Sequence, residues 1–577
     1  MDFYSKYMFW LENDYFDEDT KNELLLIKDN REEIEDRFYK DLEFGTAGLR
    51  GIVGAGTNRM NKYVVRKVSQ GLADYINKKG IAFAKRGIVV AYDSRYKSPE
   101  FALEASLVFA ANGITTWLFD ELKPVPVLSF AIRHLNAAAG VAITASHNPK
   151  EYNGYKVYGD DGAQLLPDES DILLREIENI RDFYQVKTIN KEEAIKAGLL
   201  NIIGKTIDDR YLETIKKYSL NPDIIKKQNN NFTIVYTPLN GTGNKPVRKV
   251  LKEIGFDNVH VVKEQENPDP DFSNLKMPNP EDVNVYTSAL ELARLKEADL
   301  IIGTDPDSDR MGIMVKDRDG SYKSFTGNQI GCLMLHYLLS QKKRMGVLPP
   351  DGFVVKTIVT TEMVRKIGDK YGITVIEVLT GFKFIAERIR LLDDSGKMKY
   401  IMGFEESYGF LIGTYARDKD AVSASMLIAE MAAYYKSMGK TLIDILDEIY
   451  ETYGYTDVDV ISYTLEGKEG LKKILAIMEK LRENKDIKID GYRIKAIRDY
   501  LLQERYILET GKKESLDLPK SNVLYYELDD GSWFCIRPSG TEPKIKIYIE
   551  VVGNNKNDTS EKLKKLKLEV LEIINCC

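Results

Sequence analysis

Three times along this 577-residue chain an apolar, strand-like run stops at a polar loop rich in hydroxyls, carboxylates or an imidazole. Residues 140–143 lead into Thr144-Ala145-Ser146-His147-Asn148-Pro149. Residues 300–303 lead into Thr304-Asp305-Pro306-Asp307-Ser308-Asp309-Arg310. Residues 400–403 lead into Phe404-Glu405-Glu406-Ser407. Earlier strand-like runs precede each loop, at 87–92 and 115–119, at 232–237 and 259–262, and at 353–357 and 375–378, with helical patterns between them. That alternation predicts mixed or parallel sheets covered by helices, and so three α/β domains of related design. The repeat is far too long for a short-period solenoid.

The ends of the chain differ. Residues 1–40 are acidic and aromatic with helical spacing (Tyr7, Trp10, Leu11), which predicts a helical arm leading to a glycine-rich loop at 45–51. A helix is expected over 63–78. Near the other end, 469–485 reads as an amphipathic helix and 533–537 as a short strand. Residues 544–551 alternate polar and apolar, as a strand does in a one-sided sheet, and 559–574 reads as a closing helix. This segment is expected to form a smaller α+β domain. The expected divisions are 1–205, 206–325, 326–455 and 456–577.

Composition excludes several classes of function. The net charge of −7 and pI near 5.6 lack the basic footprint of a nucleic-acid binder. Four cysteines without C-x-x-C spacing fit a reduced, cytoplasmic chain. The first residues lack a basic and then apolar leader, so no signal peptide is expected, and no apolar run reaches the length needed to span a bilayer.

The loops carry the chemistry. A serine on a turn at the C-terminal edge of a strand, beside His147, can carry a phosphoryl group; in open α/β sheets ligands bind at that edge. The bland alternative is a polar turn. Asp305, Asp307 and Asp309 at alternate positions can converge on one side of a loop, and hard oxygen donors without His or Cys suit Mg²⁺. The alternative is an acidic surface turn. Arg310 can pair with a phosphate oxygen or neutralise an aspartate. Lys156 is near enough in sequence to share the pocket as general acid or base. Arg537-Pro538-Ser539-Gly540-Thr541 offers a guanidinium, hydroxyls and backbone N–H groups for a phosphate, or else is simply a hairpin turn. Glu405, Glu406 and Ser407 suit sugar hydroxyls, and Thr380, Gly381 and Lys383 end a further strand. A paired-carboxylate glycosidase fits less well, because adjacent residues usually point apart. The glycine-rich stretches make neither a dinucleotide fingerprint nor a Walker loop.

These four loops, in this order, resemble the α-D-phosphohexomutase family, on its larger branch of phosphoglucomutases and phosphopentomutases. The resemblance runs from about Phe44 to Val551. It implies three similar α/β domains with mixed sheets plus a smaller C-terminal α+β domain around a central cleft. It implies that Ser146 is a phosphoserine that binds Mg²⁺ together with Asp305, Asp307 and Asp309. Arg50 and Lys156 would flank the reacting phosphate, with Lys156 the acid/base candidate and His147 close by. Arg310, Thr380, Gly381, Lys383, Glu405 and Ser407 would meet the substrate, and Arg537, Ser539, Gly540 and Thr541 would hold the phosphate not being transferred. The implied reaction converts glucose 1-phosphate to glucose 6-phosphate through a glucose 1,6-bisphosphate intermediate, which also primes the enzyme. Glu-Glu-Ser looks like the glucose-type sugar loop, since mannose- and glucosamine-using relatives usually carry Met or Gln at its middle position. The partner expected is a small phosphosugar, with no nucleic acid and no membrane, and the chain is expected to act as a monomer or homodimer. Phosphopentomutase or phosphomannomutase activity, a phosphatase, and a non-catalytic sugar-phosphate sensor are the competing readings.

Overall fold

Three of the four sheets share one strand plan. The computed structural model describes residues 2–45, 48–229, 231–465, 467–538 and 544–576. The first sheet contains β1 (Leu49–Ile52), β2 (Ile88–Tyr92), β3 (Thr116–Phe119), β4 (Ala139–Ile143), β5 (Tyr152–Tyr158) and β6 (Leu200–Ile203), in the order β1-β5-β4-β2-β3-β6. The second contains β7 (Ile234–Thr237), β8 (Val259–Val261), β9 (Leu300–Thr304), β10 (Met311–Lys316) and β11 (Tyr322–Ser324), ordered β11-β10-β9-β7-β8. The third contains β12 (Gly352–Thr357), β13 (Thr374–Val378), β14 (Lys399–Glu405) and β15 (Gly409–Leu411), ordered β13-β12-β14-β15.

In each, a first strand pairs in parallel with the next two: β2 with β3 and β4, β7 with β8 and β9, and β12 with β13 and β14. Parallel neighbours need a crossover, and a helix supplies each one. The third strand then turns straight back on itself as an antiparallel hairpin: β4 with β5, β9 with β10, and β14 with β15. The three polar loops of the sequence are the tips of these hairpins. Strands β4 and β9 are buried along their whole length, which is why they read as unbroken apolar runs.

The last sheet is antiparallel throughout. It orders β16 (Tyr455–Thr464), β17 (Ile494–Asp499), β18 (Glu504–Ile507), β19 (Lys513–Ser515), β20 (Leu524–Leu528), β21 (Trp533–Pro538) and β22 (Lys544–Gly553) as β16-β22-β21-β20-β17-β18-β19. Helices Gly467–Glu483 and Lys556–Cys576 pack on it. Two of its seven strands were expected from sequence. Strands such as Glu504–Ile507 and Lys513–Ser515 are short and charged, and they give no apolar period.

The arm expected at the N-terminus is three short helices, Phe3–Glu12, Glu18–Leu26 and Arg31–Phe38. Asp2, Asp17 and Asn30 cap their first turns through side-chain acceptors, and these caps divide the arm. Its aromatic face packs Tyr7, Trp10, Phe16 and Phe38 on Tyr63 of the first domain.

Helix Ala421–Lys436 joins the lobes. Every residue from Ala421 to Tyr435 is buried, as expected of a helix that is apolar on all sides. Its one acid, Glu430, accepts from Leu220 N (2.9 Å), Asn221 N (3.1 Å), Tyr337 OH (2.9 Å) and Ser219 Oγ, and so ties the segment entering the second lobe to the third.

Candidate active site

The hairpin tips of the first two lobes meet. Ser146 Oγ donates to Asp305 Oδ2 at 2.8 Å and lies 3.2 Å from His147 Nδ1. Thr144 Oγ1 accepts from Ser146 N (2.8 Å) and donates to Asp307 Oδ2 (3.1 Å), which fixes the serine turn against the acidic loop. The acidic loop is itself braced: Asp305 Oδ1 accepts from the backbone N–H groups of Asp309 (3.1 Å) and Arg310 (3.0 Å). Its backbone docks on two helix starts, where Val125 N donates to Asp307 O (2.9 Å) and Ala421 N to Ser308 O (3.1 Å). All three lobes therefore fix this one loop. Each hairpin tip contains a non-glycine residue in the left-handed region: Ser146 (φ 51°), Ser308 (φ 54°) and Tyr408 (φ 64°). Such strain clusters at functional sites held rigid by their surroundings.

Asp305, Asp307 and Asp309 are buried, and one carboxylate oxygen from each lies within 4.8 Å of the others. Burial and the neighbouring aspartates push the Asp305 carboxyl well above its ordinary range. Burial acts to raise Asp309 too, but Lys419, Lys156 and Arg310 hold it well below that range. Asp307 Oδ1 and Asp309 Oδ1 are buried without a hydrogen-bond partner. A converging, all-oxygen set with spare acceptors fits a hard divalent cation.

The cations around this centre come from all three α/β lobes. Register places Lys156 on β5 opposite Ala142 of β4. Its Nζ lies 2.7 Å from Asp307 Oδ2 and 3.5 Å from Asp309 Oδ2, so its charged partners are carboxylates of the acidic loop. Arg310 pairs with Glu281 and lies 3.8 Å from Asp309 Oδ1. Burial, with Arg310 and Arg50 close by, drives the His147 imidazole well below its usual value and keeps it neutral. Arg50, expected in a loop, instead lies on β1 opposite Gly154 of β5, and its Nη1 donates to Asn148 Oδ1 at 2.9 Å. Gly48, which precedes it, sits so close to Tyr155 O that a Cβ would stand 2.2 Å away.

The third hairpin brings Glu405, which accepts from Gly381 N at 2.9 Å and so joins the 380–383 turn to the sugar-loop candidate. Thr380 and Ser407 are half-buried, and Lys383 is buried. Burial lowers the Lys383 amine to about 8. Glu406 accepts from Thr357 Oγ1 (3.2 Å) and Thr360 Oγ1 (3.4 Å); burial and Glu405 push it up to about 7, against the pull of Lys546 and Arg537 from the fourth lobe. Arg537 is the last residue but one of β21, opposite Lys546. Ser539, Gly540 and Thr541 lie outside the described residues.

Residues 41–184, 209–320 and 326–453 match the phosphoglucomutase/phosphomannomutase α/β/α domains I, II and III, and residues 469–572 match the C-terminal domain. The chain belongs to the phosphoglucomutase/phosphomannomutase family. Family members named phosphoglucomutase from Staphylococcus aureus are similar to it almost end to end. The protein of strain bovine RF122 is 43% identical over 529 residues, covering 92% of this chain and 93% of that one; that of strain USA300 is 42% identical over 538, covering 93% and 94%. Solved structures of similar fold include the phosphoglucomutase pp63/parafusin of Paramecium in an open form (TM-score 0.69, 19% identity, 93% of this chain and 95% of that one). A family protein of Burkholderia thailandensis is also similar (TM-score 0.64, 16% identity, 92% and 97%). Among the described residues no helix is long and apolar enough to cross a membrane.

Lys419 is a site residue the sequence reading missed. Its Nζ lies 3.2 Å from Asp309 Oδ2 and 3.1 Å from Asp418 Oδ1, and these acids overcome burial to raise its pKa. Asp418 also accepts from Tyr158 OH (3.0 Å) and Gln164 Nε2 (2.9 Å) of the first lobe. The signal was the run Arg417-Asp418-Lys419-Asp420, whose four charged residues are all buried. Gly409 makes room for the lysine: a Cβ there would stand 1.9 Å from Lys419 Cδ.

Proposed function

We propose that this chain interconverts glucose 1-phosphate and glucose 6-phosphate through a phosphoserine at Ser146 and a glucose 1,6-bisphosphate intermediate, with Mg²⁺ on Asp305, Asp307 and Asp309. The observation that carries the reading is the 2.8 Å contact from Ser146 Oγ to Asp305 in a buried carboxylate triad. The phosphoglucomutase names of the Staphylococcus relatives and the Glu405-Glu406-Ser407 loop support glucose as the sugar. When bound, Mg²⁺ supplies a hard positive charge that polarises the phosphoryl group.

The chain's own residues then have defined tasks. The O–P bond to Ser146 Oγ breaks, its electron pair stays on Oγ, and a sugar hydroxyl oxygen bonds to phosphorus. The proton that hydroxyl loses is held at the neutral His147 ring, whose Nδ1 lies within reach of Oγ. Lys156, Arg50 and Arg310 neutralise the equatorial oxygens as charge spreads over them. Glu405, Ser407, Thr380, Gly381 and Lys383 orient the sugar. Arg537, Ser539, Gly540 and Thr541 hold the distal phosphate, so remote binding energy serves either end of the bisphosphate. The chain divides at 1–205, 206–325, 326–455 and 456–577 and works as a monomer or homodimer; its cysteines, free at Cys332, Cys535 and Cys576, support a cytoplasmic setting.

The test is a coupled assay with bisphosphate primer and Mg²⁺ that compares the 1-phosphates of glucose, mannose, N-acetylglucosamine and ribose. Glucose 1-phosphate is expected to give the highest kcat/KM. A preference for ribose or mannose overturns the substrate, and release of inorganic phosphate without isomer overturns the mutase.

A further inference from the structure

Arg95 follows β2 in Asp93-Ser94-Arg95, and the residue is 1% exposed. Among the described residues its guanidinium donates to four backbone carbonyls, three in the serine loop and one at the start of β5. Nη2 donates to Ser146 O at 2.6 Å and to Asn148 O, and Nη1 donates to Pro149 O at 2.8 Å and Tyr152 O at 3.1 Å. Asp93 lies 3.4 Å from Nε, and its Oδ1 accepts from Arg95 N (2.9 Å) and Ser98 Oγ (2.7 Å). The far face of the guanidinium lies 5.2 Å from the Phe272 ring of the second lobe.

We infer that Arg95 is a positioning residue for phosphoryl transfer: it gathers these four carbonyls around one planar cation and holds Ser146 in the left-handed conformation that aims Oγ at Asp305. The inference rests on the reading of Ser146 as the phosphoryl carrier. A serine in that backbone region is strained and persists only where its surroundings over-determine it. Four carbonyl dipoles converging on one point repel one another unless a cation lies between them. Guanidinium presents its donors as a rigid planar fork; a lysine is a point charge with three donors and cannot span the same four acceptors. The carrier oxygen must return to one place in both half-reactions, and a shift of about 1 Å there costs about 100-fold in rate.

The test measures kcat, KM for glucose 1-phosphate and thermal melting in Arg95→Lys and Arg95→Ala, with Ser146→Ala in parallel. Arg95→Lys is expected to lose about 100-fold in kcat while KM stays within about threefold. Guanidinium chloride at low millimolar concentration is expected to recover about tenfold in kcat of Arg95→Ala by refilling the vacated site. Near-wild-type kcat in Arg95→Lys, or a loss that guanidinium does not relieve, overturns the inference. If neither variant folds, Asp93→Asn decides: a fall of about fivefold in kcat at unchanged KM supports it, and unchanged kcat overturns it. Activity retained in Ser146→Ala removes the carrier reading itself, whereas inactive Ser146→Ala beside active Arg95→Lys removes only the role of Arg95.

Discussion

Ser146 and Asp305 share a 2.8 Å hydrogen bond across 159 residues of chain. The contact exists because two hairpins of the same design, β4–β5 and β9–β10, point their tips at each other. Ser146→Ala removes one oxygen and no packing group, so the fold should survive. We expect mutase turnover to fall by at least about 10⁴-fold. Thermal melting should stay within a few degrees of wild type. Turnover near wild type would show that another group carries the phosphoryl.

The spare oxygens on Asp307 and Asp309 suit the acidic loop to a divalent cation. Chelation should lower the melting temperature and magnesium should restore it, because a ligand bound only to the folded state stabilises it by mass action. Asp307→Asn keeps the size of the side chain and loses the charge facing Lys156. Its half-saturating magnesium concentration should rise by at least about tenfold, the scale found even for residues that only orient ligands. A metal titration that overlays wild type would rule Asp307 out as a ligand.

What the sequence disclosed tracks burial. Strands β2, β4, β9 and β12 lie in sheet interiors, read as unbroken apolar runs, and were located within a residue or two. Their hairpin partners were harder to see. β5 contains Asn153 and Lys156, both buried, and polar residues break the apolar pattern. β1 is four residues with a glycine inside, so Arg50 read as loop. Ser146, Asp305, Asp307 and Asp309 stood out because their loops end recognisable strands. Lys419 and Arg95 did not. Each belongs to a short charged run that resembles solvated surface in one dimension, and only the fold reveals the carboxylates and carbonyls that pair with it.

Lys383 predicts a trade between stability and activity. Its folded amine falls to about 8 from 10.5 because it is buried. A base with a depressed folded pKa costs stability wherever it is charged in both states. That cost is complete below about 8 and fades as pH rises toward 10.5. Lys383→Met should therefore be more stable than wild type at pH 7, by up to about 3 kcal/mol. Urea denaturation at pH 7, 9 and 10.5 should show the gain shrinking steadily. Activity should fall at every pH if the amine meets the substrate. A gain independent of pH would mean that the methionine acts through packing alone.

Lys419 offers a test of how the centre shares its charge. It faces Asp309 and Asp418, which are both buried and already engaged with groups from other lobes. Lys419→Met leaves two carboxylates short of a cation, and breaking a buried pair from one side costs about 3–5 kcal/mol. Asp309→Asn relieves part of that loss by removing one of the stranded charges. The double variant should therefore be destabilised by less than the sum of the singles, with a coupling of about 1–3 kcal/mol, as found for neighbours in one network. Activity should behave differently, because each single variant is expected to disable the site by itself, so the double should lose little more. Urea melts and kcat measured on the same four proteins separate the two behaviours. Additive stabilities would mean that Lys419 and Asp309 do not interact, and would leave Asp309 to Lys156 and Arg310 alone.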